Sequence, residues 1–305
     1  MTSVSQRSTV AMSRPRTLGV LARIEARRFA RHPLFLAGVA LCGFATIYVA
    51  NDAKSDVLGG DGFFPALFVG VVSMVVAYRL TRSTRRSAEA LDAVPTAATT
   101  RTGALCLACL VPAAVGMLWL AFMLFAIRRW PPQPWMFGTF GPGDRVAILA
   151  GESVLACLGA PLLGVAAGRW FRFPGGAVLL LLGVVGWVTA GFAVAINTSG
   201  GLLPTGLRLS TPFTFFLTTG RGSRSLDSWT GSPEWYLLWL VALCGLAAIA
   251  ALLHGATDTA RTRLLRVGAL CLAVGLLAYA LAVTGGLSRV VNVHPDGTRT
   301  TAAAR

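Results

Sequence analysis

Lysine is almost absent from this chain. Of 27 basic residues only Lys54 is lysine, and the rest are arginine. A phosphate-binding loop of the form G-x-x-x-x-G-K-[ST] needs a lysine behind its second glycine. Lys54 follows Ala53, so the chain does not bind ATP through that motif. Histidine occurs three times, at His32, His254 and His294, and the three are scattered. Neither HExxH nor GxSxG occurs, so nothing in the sequence looks like an active site. Charge is scarce too: 13% of residues are charged, against about 25% in a soluble domain. That excludes an ordinary soluble fold.

What is present is apolar. Hydrophobic residues make up 55% of the 305, and mean hydropathy is +0.67. Several runs approach or exceed the roughly 20 apolar residues that cross a bilayer. The expected fold class is therefore an all-α polytopic membrane protein with six to seven transmembrane helices. The net charge of +15 does not make nucleic acid a partner. The arginines cluster beside apolar runs, where topology signals and anionic membrane lipids account for them. The six cysteines all lie inside apolar runs, whereas a disulfide framework would place them in exposed loops. Cys106 and Cys109 have a metal or redox spacing but no histidine nearby, and read as small packing residues.

Taken in order, residues 1–12 are polar and expected to be disordered. Residues 13–32 read as an amphipathic interfacial helix. Leu18, Leu21, Ile24 and Phe29 lie loosely on one side, among Arg16, Arg23, Arg27, Arg28 and Arg31; such a helix lies on an anionic leaflet. His32-Pro33 then breaks the helix and turns the chain inward. A transmembrane domain follows over 33–288, with spans near 33–50, 63–78, 103–127, 146–168, 174–196, 235–254 and 268–287. Pro112 is expected to kink the third. Trp130, Trp135 and Phe137 suit an outer aromatic belt. The stretch 200–220 is apolar but broken by Pro204, Arg208 and Pro212. Either it is a plain outer loop, or it forms short helices dipping into the protein. Residues 289–305 read as a polar tail.

Counting charges orients this plan. With the N-terminus inside, the inner segments hold 17 basic residues and four acids, and the outer ones ten and seven. Loops rich in arginine stay on the cytoplasmic side, so the N-terminus is expected in the cytoplasm and the protein in the plasma membrane. Glu152 is the one acid inside a span, placed about two turns from the outer end. A carboxylate at membrane depth costs about 2.5–3.5 kcal/mol on insertion scales and marks a functional candidate. Here that means substrate contact or proton handling; the alternative is a neutral or wet-facing side chain. Gly164 and Gly168 form a small-xxx-small pair that serves packing within one subunit or a dimer contact.

The polar interval 79–102, RLTRSTRRSAEALDAVPTAATTRT, lies between two apolar runs and carries five arginines against Glu89 and Asp92. Its middle, 87–94, has good helix formers and is stopped by Pro95. It reads as a short docking helix offered to the cytoplasm. Three segments in this order, 25–33 (EARRFARHP), 85–95 (RRSAEALDAVP) and 168–175 (GRWFRFPG), resemble the permease subunits of type-2 ABC exporters in their actinobacterial form. The resemblance covers roughly residues 15–255, and the extra C-terminal span departs from a six-span pattern. It implies a second permease subunit, identical or different, and an ABC ATP-binding subunit. That subunit would hold the ATP and Mg, with no cofactor in this chain. It also implies a cytoplasmic coupling helix built on Arg86, Glu89, Leu91, Asp92 and Pro95, with Glu89 and Asp92 facing the ATPase and Glu152 on a substrate pathway. A membrane-embedded accessory or immunity protein that transports nothing also fits the composition. A membrane enzyme would need a cluster of ionisable residues within spans, and the sequence offers only Glu152.

Overall fold

Backbone at membrane depth has no water to bond, so helices must satisfy it internally. The computed structural model follows that rule. It describes residues 14–52, 64–86, 97–130, 141–171, 173, 175–197, 202–211, 219–220, 226–227, 232–285, 291–293 and 299–301. The N-terminal 1–12, the outer loop beyond Asp52, the aromatic segment 131–137 and the coupling helix 87–94 lie outside the described residues.

Helix α1 (Arg14–Ala30) and helix α2 (Pro33–Asp52) meet at an elbow of 60°. Its cause is local. Pro33 lacks an N–H and disfavours helical backbone at His32, yet it suits the first position of the next helix. His32 caps that helix, accepting the Leu34 N–H at Nδ1 over 3.3 Å. Phe29 and Phe35 close the elbow edge to face, with ring centroids 5.3 Å apart, and both are buried.

A π-helical segment, Pro65–Val71, runs directly into α3 (Val72–Arg86). The second span was expected to end at residue 78; the helix continues eight residues further. Arginine is a good helix former. Thr81 bonds back to the Ala77 carbonyl, and Ser83 and Thr84 to that of Leu80, so the hydroxyls stay satisfied inside the helix. Next come α4 (Ala98–Ala108) and α5 (Leu110–Arg129), forming one 32-residue rod with a break at Cys109. Pro112 has no N–H for the Ala108 carbonyl and crowds it, and the regular helix is interrupted three residues upstream of the proline, at Cys109.

Helix α6 (Pro142–Ala150), a second π segment (Gly151–Leu155) and α7 (Ala156–Trp170) form a 29-residue rod. Helix α8 (Gly176–Asn197) returns, and α9 (Leu202–Leu209) is a short helix within the broken stretch 200–220. Tyr279 holds α9 by donating to the Gly206 carbonyl over 2.7 Å. Helices α10 (Pro233–Leu253) and α11 (Asp258–Thr284) form a hairpin through residues 254–257, and Gly275 packs beside Ala242 and Trp239. Gly285 closes α11 at φ 84°, a left-handed conformation that glycine adopts without strain.

Among the described residues, five helices are long and apolar enough to cross a membrane, or six if the bent α1–α2 pair is one span. Helix α11 is among the five and begins about ten residues before the expected span. The described apolar part of α8, Gly176–Gly191, is shorter than that standard. Among the described residues, four strands of two or three residues pair antiparallel in the order β1 (Thr219–Gly220), β2 (Leu226–Asp227), β3 (Val291–Val293), β4 (Arg299–Thr301). The C-terminal stretch read as a plain polar tail thus contributes two of them.

Helices α3 and α7 pack backbone against backbone at Gly164. A Cβ on Gly164 would strike the Met74 carbonyl oxygen, and one on Gly168 would lie 2.8 Å from Thr81 Cβ. The small-xxx-small pair therefore serves packing within this chain. Gly164→Ala should cost about 1–3 kcal/mol through overpacking against rigid backbone. Gly183→Ala, where a Cβ meets nothing within 4 Å, should be neutral or slightly stabilising. Thermal unfolding of both variants in detergent measures the difference.

Candidate functional site

Two regions carry the residues that sequence singles out. The first is one end of the bundle. Arg82 Nη1 donates to the Phe173 carbonyl over 2.8 Å, and the Tyr78 hydroxyl reaches the same oxygen at 3.5 Å. The Arg82 guanidinium also lies 5.9 Å from the centre of the Tyr78 ring, within cation–π range. Trp170 Nε1 donates to the Ala250 carbonyl over 2.9 Å, and its ring meets His254 edge-on at 5.5 Å. A Cβ on Gly255 would sit 3.2 Å from Ala98 Cβ. Leu18 of α1 lies 3.4 Å from the Cβ position of Gly103.

These contacts form a ring. They bring α1, the end of α3, the start of α4, the turn after α7 and the α10–α11 turn to one end. All are segments that the arginine count assigns to one side. Of the docking residues, Arg86 is the last residue of α3, at this end. Glu89, Leu91, Asp92 and Pro95 lie outside the described residues.

The second region is mid-bundle. Glu152 is the second residue of the π segment Gly151–Leu155 and is 5% exposed. It was expected about two turns from the outer end. The rod starts at Pro142 rather than near 146, so Glu152 sits ten residues in, or about 15 Å at 1.5 Å per residue. It is buried in protein rather than set in an open vestibule. The first π segment packs on the start of α7: a Cβ on Gly70 would lie 3.1 Å from the Ala156 carbonyl oxygen. Cys157 Sγ contacts the Pro65 carbonyl at 3.4 Å. π segments recur at functional sites because they re-aim side chains out of the regular helical ladder. Here the second of them carries the buried Glu152.

Sequence reasoning undervalued Arg82, Tyr78 and Trp170. The roles of Arg82 and Tyr78 depend on the Phe173 carbonyl that the turn after α7 leaves within reach, and that of Trp170 on the Ala250 carbonyl of α10. Arg208 was noted only as a break in an apolar stretch. Its Nε and Nη2 are shut off from solvent, and its helix α9 packs beside α8, where a Cβ on Gly191 would lie 3.6 Å from Arg208 Cα. Among the described residues, no three His, Cys, Asp or Glu side chains are grouped to hold a metal ion. Cys106 and Cys109 are unpaired by any disulfide; Cys109 is buried and its Sγ leans on the Leu105 carbonyl at 3.4 Å. Comparison with family models, curated proteins and solved structures returns no match.

The elbow that aims α2 into the bundle is sensitive to pH. Burial, and then the positive charge of Arg79, hold the His32 imidazole below the ordinary histidine value. The neutral ring is also the form whose Nδ1 can accept the capping bond. The unfolded chain thus takes up a proton near pH 6.5 before the folded chain does. The stabilisation is complete above that pH and is lost as pH falls through the lower folded-state value. Wild type should melt lower at pH 5.5 than at pH 7.5 in detergent. His32→Asn, which keeps a cap, should lose part of that dependence, while His32→Ala should cost about 1 kcal/mol at neutral pH.

Proposed function

We propose that this chain is the transmembrane permease subunit of an ATP-driven exporter of the type-2 ABC class. Six or seven helices cross the plasma membrane in this reading. The N-terminus is cytoplasmic, α1 lies along the inner interface, and residues 87–94 form the coupling helix. A separate ABC ATP-binding subunit supplies ATP and Mg. A second permease subunit, identical or different, completes the pathway.

The observation that carries the reading is the ring of contacts at one end. Arginine-rich segments far apart in sequence converge there, and α3 ends among them at Arg86, with α4 starting at Ala98. A lever needs a stiff shaft and a fixed pivot. Helix α3 supplies the shaft, packed on α7 without side chains between the backbones at Gly164. The Arg82–Phe173 bond ties the lever's base to the turn between α7 and α8. Force applied at 87–96 would therefore reach α7, and with it Glu152, through packed backbone rather than through loops.

Glu89 and Asp92 give the helix an acidic face amid arginines. Reversing both to arginine makes that face repel a basic partner, and like-charge juxtaposition costs several kcal/mol. Purified gently from its native membranes, the wild-type chain should bring down an ATPase subunit. The Glu89→Arg, Asp92→Arg double variant should lose it by more than tenfold while still reaching the membrane. A wild-type preparation free of any ATPase would overturn the proposal and favour a non-transporting accessory protein.

A further inference from the structure

A cleft opens between α1, α3 and α4 at the arginine-rich end. It measures about 270 Å³ and is lined by Leu21, Glu25, Arg28, Ser83, Thr84, Arg101 and Ala104. We propose that it binds the phosphodiester headgroup of an anionic phospholipid, one whose headgroup also carries hydroxyl groups. The proposal goes beyond transport and does not depend on an ATPase partner.

Depth is the first argument. Thr84 closes the span Pro65–Thr84, and Arg101 and Ala104 lie in the opening turns of the rod Ala98–Arg129. The cleft thus sits where apolar helix gives way to polar chain, the level that headgroups occupy. Helix α1 bends 60° away from α2 and forms the third wall through Leu21, Glu25 and Arg28, which share one helical face at spacings of four and three.

Chemistry is the second. Arg28 donates to both carboxylate oxygens of Glu25, at 3.0 and 3.1 Å, through the single nitrogen Nη1. That pair fixes the guanidinium and leaves Nε–H and the Nη2 group for another acceptor. Arginine presents these donors in a planar fork that fits a phosphate. Arg101 adds a second positive charge to the lining. Ser83 and Thr84, whose hydroxyls donate to the Leu80 carbonyl at 2.8 and 2.9 Å, add polar side chains to the lining. Leu21 and Ala104 supply apolar wall for the start of an acyl or glycerol backbone. Arginine donors beside hydroxyl and carboxylate acceptors match a phosphate bearing alcohols, such as phosphatidylglycerol. Choline offers those acceptors no hydrogen to accept.

Size is the third. The volume falls just below the roughly 300–1,000 Å³ of sites that enclose drug-sized ligands. It accommodates a headgroup and not a folded segment of a partner.

The test uses full-length protein, delipidated in detergent and given phosphatidylglycerol, phosphatidylcholine or inorganic phosphate. Native mass spectrometry counts retained lipid. Phosphatidylglycerol should be retained over phosphatidylcholine. Arg28→Gln with Arg101→Gln should cut that preference about tenfold, the loss expected for charge-assisted bonds. Arg263→Gln, an exposed arginine at the start of α11, should leave it intact. Arg28→Lys keeps the charge without the fork and should fall between; it serves if the double variant does not fold. Equal losses at Arg263, or no preference in the wild type, would overturn the proposal. Full competition by inorganic phosphate would identify a free-anion site and sink the lipid assignment. So would a double variant that loses an ATPase subunit but retains phosphatidylglycerol, because the cleft would then be a protein-docking surface.

Discussion

The bundle depends on the direct backbone contact between α3 and α7. Two glycines one turn apart, Gly164 and Gly168, remove the side chains that would hold the helices about 8–10 Å apart. The Met74 carbonyl and the Thr81 side chain fill the space. In lipid, apolar side chains gain little by meeting each other rather than acyl tails, so close packing carries the association. The register of α3 on α7 then determines the rest. It puts Tyr78 and Arg82 opposite the Phe173 carbonyl and places the π segment Pro65–Val71 beside Ala156 and Cys157.

A division of labour follows from burial. Helices α3 and α7 bury much of their length, α7 through glycine, alanine and cysteine and α3 through Met74, Val76, Ala77 and Tyr78. Helices α8 and α11 instead expose Leu179, Leu182, Leu270 and Leu277. Such faces suit acyl chains, as leucine is no worse off in lipid than in a core. Polar groups concentrate at the arginine-rich end and around Glu152. The end is open and hydrogen-bonded through side chains to carbonyls. The middle is closed. Enclosing Glu152 within a π segment trades helical regularity for a carboxyl group at depth, a trade that structure alone does not require.

Much of this was legible in the sequence, for reasons that differ by element. Proline wrote the clearest signals: Pro33 marked the elbow and Pro112 the break at Cys109, because a missing N–H has a fixed geometric consequence. Apolar run length placed the long rods, α11 included. Hydropathy failed at helix ends. Residues 79–86 read as loop because they are charged, yet arginine prolongs a helix while its head reaches water. The depth of Glu152 was misjudged for a related reason: α6 begins at Pro142 inside a Gly- and Pro-rich stretch that looks like loop. Strands of two or three residues leave no periodicity to read. The hydrogen bonds of Arg82 and Trp170 to carbonyls 91 and 80 residues away were invisible, since a carbonyl acceptor belongs to every residue and singles out none. The docking residues Glu89, Leu91, Asp92 and Pro95 rest on the sequence alone.

The central claim is that the arginine-rich end, with the segment it presents, faces the cytoplasm. Thiol accessibility tests it most directly. Ser87→Cys and Thr96→Cys place single reporters in the segment, and the native cysteines, buried or half-buried, give the baseline. A membrane-impermeant maleimide should leave both reporters unlabelled in intact cells and label both in inverted vesicles. Labelling from outside intact cells would reverse the orientation and remove the basis for coupling to a cytoplasmic ATPase.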